Sequence, residues 1–272
     1  MTGAGEKLVA VAVPVYKPAI SSKEKASLLQ LFDILGNHPI YLFTFRALDI
    51  SAYQKLLTGF RYRLVYFDDK YFKNIAGYNK LLLSRRFYKA FEAFNFLLIY
   101  QLDAWVFKNE LVQWCHSGYD YIGAPWFSSD KPEHGLPHFM GVGNGGLSLR
   151  KIKSHLQILN TFSYIQSPAY LLNGFIRNRS FGTLFTFLNS LLFNNNTFHL
   201  LGKNQLHEDV FWNHAARKNA WFKVPDMLTA SRFSLESNAE KLFNINHQTL
   251  PFGCHAWELY DPLFWDKFIE TN

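Results

Sequence analysis

Between residues 8 and 107 short apolar runs alternate with segments of helical spacing, and no other feature restricts the fold so much. "LVAVAVPVY" (8–16) is a β-branched run stopped by Pro14, and "SSKEKASLLQLFDIL" follows with serine caps and apolar residues at helical intervals. The pattern repeats with "PIYLFTF" (39–45) as strand, "SAYQKLLTGF" as helix, "YRLVYF" (62–67) as strand and "GYNKLLLSRRFYKAFEAF" (77–94) as helix. A fourth run, "FNFLLIYQLDAWVF" (94–107), reads as a strand buried on both faces. Such alternation requires crossovers between parallel strands, so the expected class is α/β, with a mostly parallel central sheet flanked by helices.

Beyond Phe107 the alternation loosens. "LVQWCHSG" reads as a short helix, "YDYIGAPW" (119–126) as a strand leading into a turn, and "FSSDKPEHGLPHFMGVG" (127–143) as a long polar loop of the kind that carries function. "GGLSLRKIKSHLQIL" resumes as strand then helix, an aromatic-rich helical insertion occupies about residues 160–200, and "HEDVFWNHAARKNA" is a helix with an acidic first turn. No Pro/Gly/Ser linker cuts the chain, so a single domain over residues 1–272 is expected.

Hydrophobic residues make up 49% of the chain and aromatics 18%, which excludes disorder and leaves apolar surface to be used for something. The net charge of +7 suits an anionic partner: nucleic acid, a phosphorylated small molecule or a membrane surface. The basic residues are scattered, without a ribonucleoprotein pattern, paired Cys/His spacing or a basic heptad arm, so no nucleic-acid partner is expected. Cys115 and Cys254 have no pairing framework, which fits a reducing compartment. The start lacks a signal-peptide pattern, and no apolar stretch reaches the roughly 18 residues of a spanning helix. A cytoplasmic location is therefore expected.

The run 94–107 carries one carboxylate, Asp103, close to its end. An unpaired buried charge is costly, so something compensates it. One reading is a carboxylate that caps a turn or pairs with arginine. The other is a ligand for Mg2+ or Mn2+, placed where open parallel sheets bind ligands, beyond the carboxyl ends of their strands. His255 in "LPFGCHAW" is the best second ligand, with Gly253 allowing a sharp turn, although a polar histidine satisfied by its neighbours is the alternative. "GVGNGG" (141–146) satisfies a dinucleotide fingerprint literally, but it follows a Pro/His loop instead of a first strand and lacks the later ribose-binding acid.

The ordered set "YQLDAWVF", "YDYIGAPW", "GNGGLSLR", "HEDVFW" and "PFGCHAW" resembles a bacterial family of glycosyltransferase-like proteins with a GT-A-type nucleotide-sugar-binding fold, many of unassigned function. The resemblance spans most of the chain except the insertion. It implies a GT-A-like domain with a nucleotide-sugar-binding half (1–107) and an acceptor-binding half (108–272). It also implies an enzyme: a metal-dependent glycosyltransferase of hexosyltransferase type, using Mn2+ or Mg2+. The donor would be a nucleotide-diphosphate sugar, the acceptor a carbohydrate or lipid-linked glycan, and the setting capsule or lipopolysaccharide synthesis.

Residue by residue, the resemblance makes Asp103 the second acid of a D-x-D, with Gln101 in place of the first, and His255 a later metal ligand. Glu208 and Asp209 match an acidic pair that supplies the general base of inverting enzymes, Asp209 as the base and Glu208 as its acceptor-orienting neighbour. Without the resemblance they read as dipole-compensating residues at a helix start. Asn144, Gly145 and Gly146 would form a floor for the sugar, and Trp126 would stack on it. By topology Pro14 and Tyr16 face the nucleotide base, while Lys80 reaches toward the diphosphate. Because Gln101 departs from the pattern, a non-catalytic carbohydrate- or nucleotide-binding protein of the same fold is the alternative.

"SFGTLFTFLNSLLF" (180–193) is apolar around most of its circumference. It packs into the core or a homodimer interface, or it rests on a membrane at the inner face of the cytoplasmic membrane, with Arg177 and Arg179 meeting anionic lipid.

Overall fold

In the first strand the side chains alternate in size, and this alternation sets the two faces of the sheet. A computed structural model describes residues 7–128, 138–203 and 207–270. In β1 (Lys7–Pro14), Val9, Val11 and Val13 pack with Leu28, Leu31 and Leu35 of α1 (Ser22–Leu35), while Ala10 and Ala12 face the opposite core. A capping box between Ser21 and Glu24 starts α1.

β2 (Ile40–Thr44), α2 (Ser51–Leu56) and β3 (Arg63–Tyr66) follow as expected. The predicted helix 77–94 is two helices, α3 (Ile75–Leu82) and α4 (Arg85–Lys89). Ser84 makes the break: its hydroxyl donates to the Leu81 carbonyl at 2.7 Å and accepts from the Phe87 N–H at 3.2 Å, capping a new helix. Phe87 and Tyr88 of α4 are buried under the sheet with Leu81 and Leu82 of α3.

The run 94–107 also divides. β4 (Phe94–Tyr100) lies in the main sheet, whereas β5 (Ala104–Val106) joins a different one. After α5 (Leu111–Cys115) come β6 (Tyr121–Ile122), β7 (Ala124–Phe127), β8 (Phe139–Gly143), β9 (Leu147–Lys151) and α6 (Ile152–Ile158). The end of the predicted polar loop is thus a strand, β8, paired antiparallel with β7. Residues 129–137 of that loop lie outside the described residues.

The main sheet has the order β3-β2-β1-β4-β9-β6, with the first four strands parallel and β9 antiparallel to both its neighbours. The carboxyl ends of β1 and β4 and the entry to β9 therefore share one edge.

The insertion holds α7 (Pro168–Asn178), α8 (Phe181–Asn189) with a π turn at 190–194, and α9 (Thr197–Lys203). Neither α7, α8 nor the π turn has a buried residue, so the expectation of core packing for 180–193 is not met. Then follow α10 (Glu208–Lys218), α11 (Met227–Phe233), β10 (Ser234–Leu235), α12 (Ala239–Ile245), β11 (Gly253–His255) and α13 (Pro262–Trp265). β5, β11 and β10 form a second sheet over a satellite core around Trp257 and Trp265. Among the described residues no helix is long and apolar enough to cross a membrane.

Candidate active site

β4 ends in a turn. The Ala104 N–H donates to the Gln101 carbonyl at 2.9 Å, and the Gln101 N–H donates to Gly146 O at 2.8 Å, tying the turn to the entry of β9. Below it, the Ala104 carbonyl accepts from Ser27 and Tyr100 hydroxyls at 2.6 and 3.0 Å. This anchored turn lifts Asp103 off the strand: its side chain keeps 46% exposure, so it is not the fully buried charge that a continuous strand would have made it.

Antiparallel pairing of β11 with β5 sets His255 opposite Ala104, and the Ala256 N–H donates to Asp103 O at 2.9 Å. The imidazole is held at both nitrogens. Nε2 lies 3.2 Å from Asp103 Oδ1 and 3.3 Å from Gln101 Oε1, and Nδ1 lies 3.2 Å from Glu236 Oε1. Burial pulls the His255 pKa down, but hydrogen bonds and charge from Asp103 and Glu236 outweigh it and push it up to about 9. Burial raises the Asp103 carboxyl, and the contact with His255 reverses that and holds it below its ordinary value.

With its pKa pushed up to about 9, the imidazole is protonated near neutral pH and donates from Nδ1 to Glu236 and from Nε2 toward Asp103 and Gln101, so a divalent cation at Nε2 would have to displace that proton. Oxygen donors with one imidazole suit Mn2+ or Mg2+. Among the described residues no group of three His, Cys, Asp or Glu side chains is arranged to hold a metal, so the protein would contribute few ligands. Asp103 and His255, the expected pair, are in contact.

Across the turn, Asn144 adopts a positive φ of 75°, and its Oδ1 accepts from the Gly146 N–H at 3.0 Å. The two glycines that follow are required by the protein's own side chains: a Cβ on Gly145 would strike Glu208 Oε1, and one on Gly146 would strike the His255 ring. Trp126 lies against Gly143 in the same way.

Glu208 and Asp209 open α10, as expected, but face different partners. The Glu208 N–H donates to Asn79 Oδ1 at 3.1 Å, and Glu208 Oε1 meets the Arg150 guanidinium at 2.7 Å with both side chains buried. Arg150 also donates to Tyr88 and Ser148 hydroxyls. Arg150 holds one Glu208 oxygen, Oε1, while the side chain lines a cavity that Asp209 also lines. Asp209 accepts from the Val210 N–H at 2.9 Å, and burial raises its pKa, partly offset by that hydrogen bond.

A cavity of about 640 Å³ brings most of these groups together: Tyr16, Gln101, Trp126, Asn144, Gly145, Gly146, Glu208, Asp209 and His255 all line it. A cleft of about 280 Å³ adjoins it through Tyr16 and Gln101 and holds Pro14 and Asp103. Lys80 is the exception: it is exposed and lines neither, since the helical turn that faces Tyr78 and Asn79 to the cavity aims the next residue at solvent. Lys73 lines the first of these spaces and Lys17 the second.

Sequence reasoning missed Glu236, Asn79 and Arg150. Arg150 left a signal, a lone charge closing the apolar "GGLSL" run, which demands a buried counter-ion. Glu236 and Asn79 left none, because only tertiary pairing brings them to the site.

The sheet order, the single antiparallel strand and a site at the carboxyl ends of β1 and β4 define a GT-A-type α/β fold. The solved structure of a glycosyltransferase is similar in fold. The galactosyltransferase LgtC, in complex with donor and acceptor sugar analogs, matches with a TM-score of 0.51 over 90% of this chain and 86% of its own, at 9% identity. The apo form of mouse xyloside xylosyltransferase 1 matches with a TM-score of 0.48 over 92% and 97%, at 13% identity. The family model described as "Protein of unknown function (DUF5672)" matches residues 61–255, and the chain belongs to that family. No curated protein matches it.

Proposed function

We propose that the protein is a glycosyltransferase that moves a sugar from a nucleotide-diphosphate sugar to an acceptor hydroxyl with inversion. The observation that carries the reading is one cavity, at the carboxyl edge of a GT-A-type sheet, lined both by Asp209, whose carboxyl pKa is raised by burial, and by the Gln101–His255 pair. The likeness in fold to LgtC, solved in complex with donor and acceptor sugar analogs, supports the glycosyl-transfer part of this reading.

In this reading the nucleoside occupies the cleft beside Pro14 and Tyr16, in the half formed by residues 1–107, and Lys17 and Lys73 attract the diphosphate. The donor sugar lies over the Gly145–Gly146 backbone against Trp126 and Asn144. Asp103 and His255 would hold a Mn2+ or Mg2+ ion that offsets charge on the departing diphosphate. Glu236 fixes the His255 ring with Nε2 toward Asp103.

The acceptor enters from the half formed by residues 108–272. Asp209 takes the proton of its hydroxyl, the oxygen bonds to the anomeric carbon, and the bond from that carbon to the diphosphate oxygen breaks, its electron pair leaving with the nucleoside diphosphate.

A thermal-shift screen of nucleoside diphosphates with and without Mn2+ tests donor binding, because a ligand of the native state raises its melting temperature. An upward shift that needs both components is expected, followed by an inverted glycoside on incubation with the matching donor and an acceptor. A shift without turnover on any acceptor supports a binding protein, and a retained anomeric configuration removes Asp209 as base.

A further inference from the structure

The insertion leaves the body of the protein through a narrow neck. Tyr164 and Asn196 form an antiparallel bridge, and the Asn195 side chain closes it with two 2.7 Å hydrogen bonds to the Gln166 backbone. Beyond this neck α7 and α8 pack on each other, with Phe175 and Phe187 rings stacked at 6.0 Å. Leu184, Phe187 and Leu191 are half-buried in the hairpin.

The other side of α8 and its π turn is uncovered. Phe181, Phe185, Leu188 and Leu192 recur at helical spacing and are 92%, 71%, 44% and 62% exposed. A ridge of that size on an isolated soluble chain marks a contact surface. Beside it Arg177 and Arg179 end α7, both exposed and with no carboxylate partner among the described residues. The sequence explains why: no Asp or Glu occurs between Glu133 and Glu208.

We infer that the α7–α8 hairpin docks on the surface of a bilayer carrying anionic lipid. An apolar ridge with arginines at its margin and no acids matches a surface that is apolar below and negative above. A second copy of the same face offers no negative group to meet those arginines, so charge disfavours self-association through it. The helices are too short to span, so the hairpin lies in the interface. This docking is independent of the transfer reaction.

Flotation of the full chain with phosphatidylcholine vesicles, with and without phosphatidylglycerol, tests it. Binding at least about tenfold stronger to the anionic vesicles is expected, weakening as salt screens the arginines. Phe185→Ser with Leu188→Ser should leave the protein at the bottom of the gradient with its circular dichroism and melting temperature unchanged. Should that variant misfold, Arg177→Glu with Arg179→Glu, at exposed positions, gives the same loss on anionic vesicles. A wild-type chain that does not float overturns the inference. So does a dimer in sedimentation velocity that the serine variant dissolves while neither protein floats.

Discussion

Arg150 and Glu208 meet at 2.7 Å with their side chains closed off from water, one at the end of β9 and the other in the first turn of α10. Burial pushes the Glu208 carboxyl up while the arginine charge pulls against it, and Arg150 stays protonated. The pair fixes the start of α10 against the sheet, and with it the position of Asp209 at the cavity.

Removing one partner strands the other charge. Arg150→Met should therefore lower stability by about 3–5 kcal/mol in urea unfolding, a large part of a normal folding free energy. Arg150→Met with Glu208→Leu should recover much of the loss, since two packed apolar side chains replace the pair without leaving a charge. Equal losses in the single and double variants would mean that packing around Arg150, and not the ion pair, holds α10.

Asp209→Asn should leave nucleotide affinity unchanged and cut turnover by about 100-fold or more, the scale of lost general-base catalysis. Because burial holds the Asp209 carboxyl above its ordinary value, the fraction available as base grows as pH rises through that raised value. The acid limb of kcat/KM should lie correspondingly high in the wild type and disappear in the variant. Near-normal turnover in Asp209→Asn would move the base elsewhere.

The first 107 residues were legible because period-2 and period-3.6 patterns write buried strands and their helices directly into the chain. The sequence did not reveal that 94–107 is interrupted at Gln101–Asp103, because Ala104–Val106 is as apolar as β4 while belonging to another sheet. Asp103 stands out as a charge interrupting an apolar run, and Glu208 and Asp209 through the resemblance to an acidic pair; the structure puts Glu208 and Asp209 at one cavity and Asp103 in the adjoining cleft. The site was illegible where a residue acts through a distant partner: Glu236 matters only because β10 runs beside β11 and sets it against His255. Lys80 failed for a simpler reason, one residue of helical rotation.

Asp103→Asn should abolish cation-dependent nucleotide binding in isothermal titration, and His255→Ala should weaken it less. Glu236→Gln should weaken Mn2+ affinity about 10–100-fold, because the ring loses the carboxylate that orients it. Unchanged cation dependence in Asp103→Asn would remove it from the cation site.

Gly146→Ala tests the site's construction with one methyl group. The new Cβ would enter the volume of the His255 ring, which is held by Glu236 on one side and by Asp103 and Gln101 on the other and has little room to yield. The imidazole must leave its place or the turn between Asn144 and Leu147 must shift, and the Gly146 carbonyl that receives the Gln101 N–H moves with it. Either way Asp103, Gln101 and His255 cease to converge. The expected outcome is a folded protein, a few degrees less stable in thermal melts, whose nucleotide binding no longer responds to Mn2+. Gly174→Ala is the control, because a Cβ there meets nothing within 4 Å, and it should leave cation-dependent binding intact. If Gly146→Ala binds nucleotide with full Mn2+ dependence, the His255 ring is not part of the cation site.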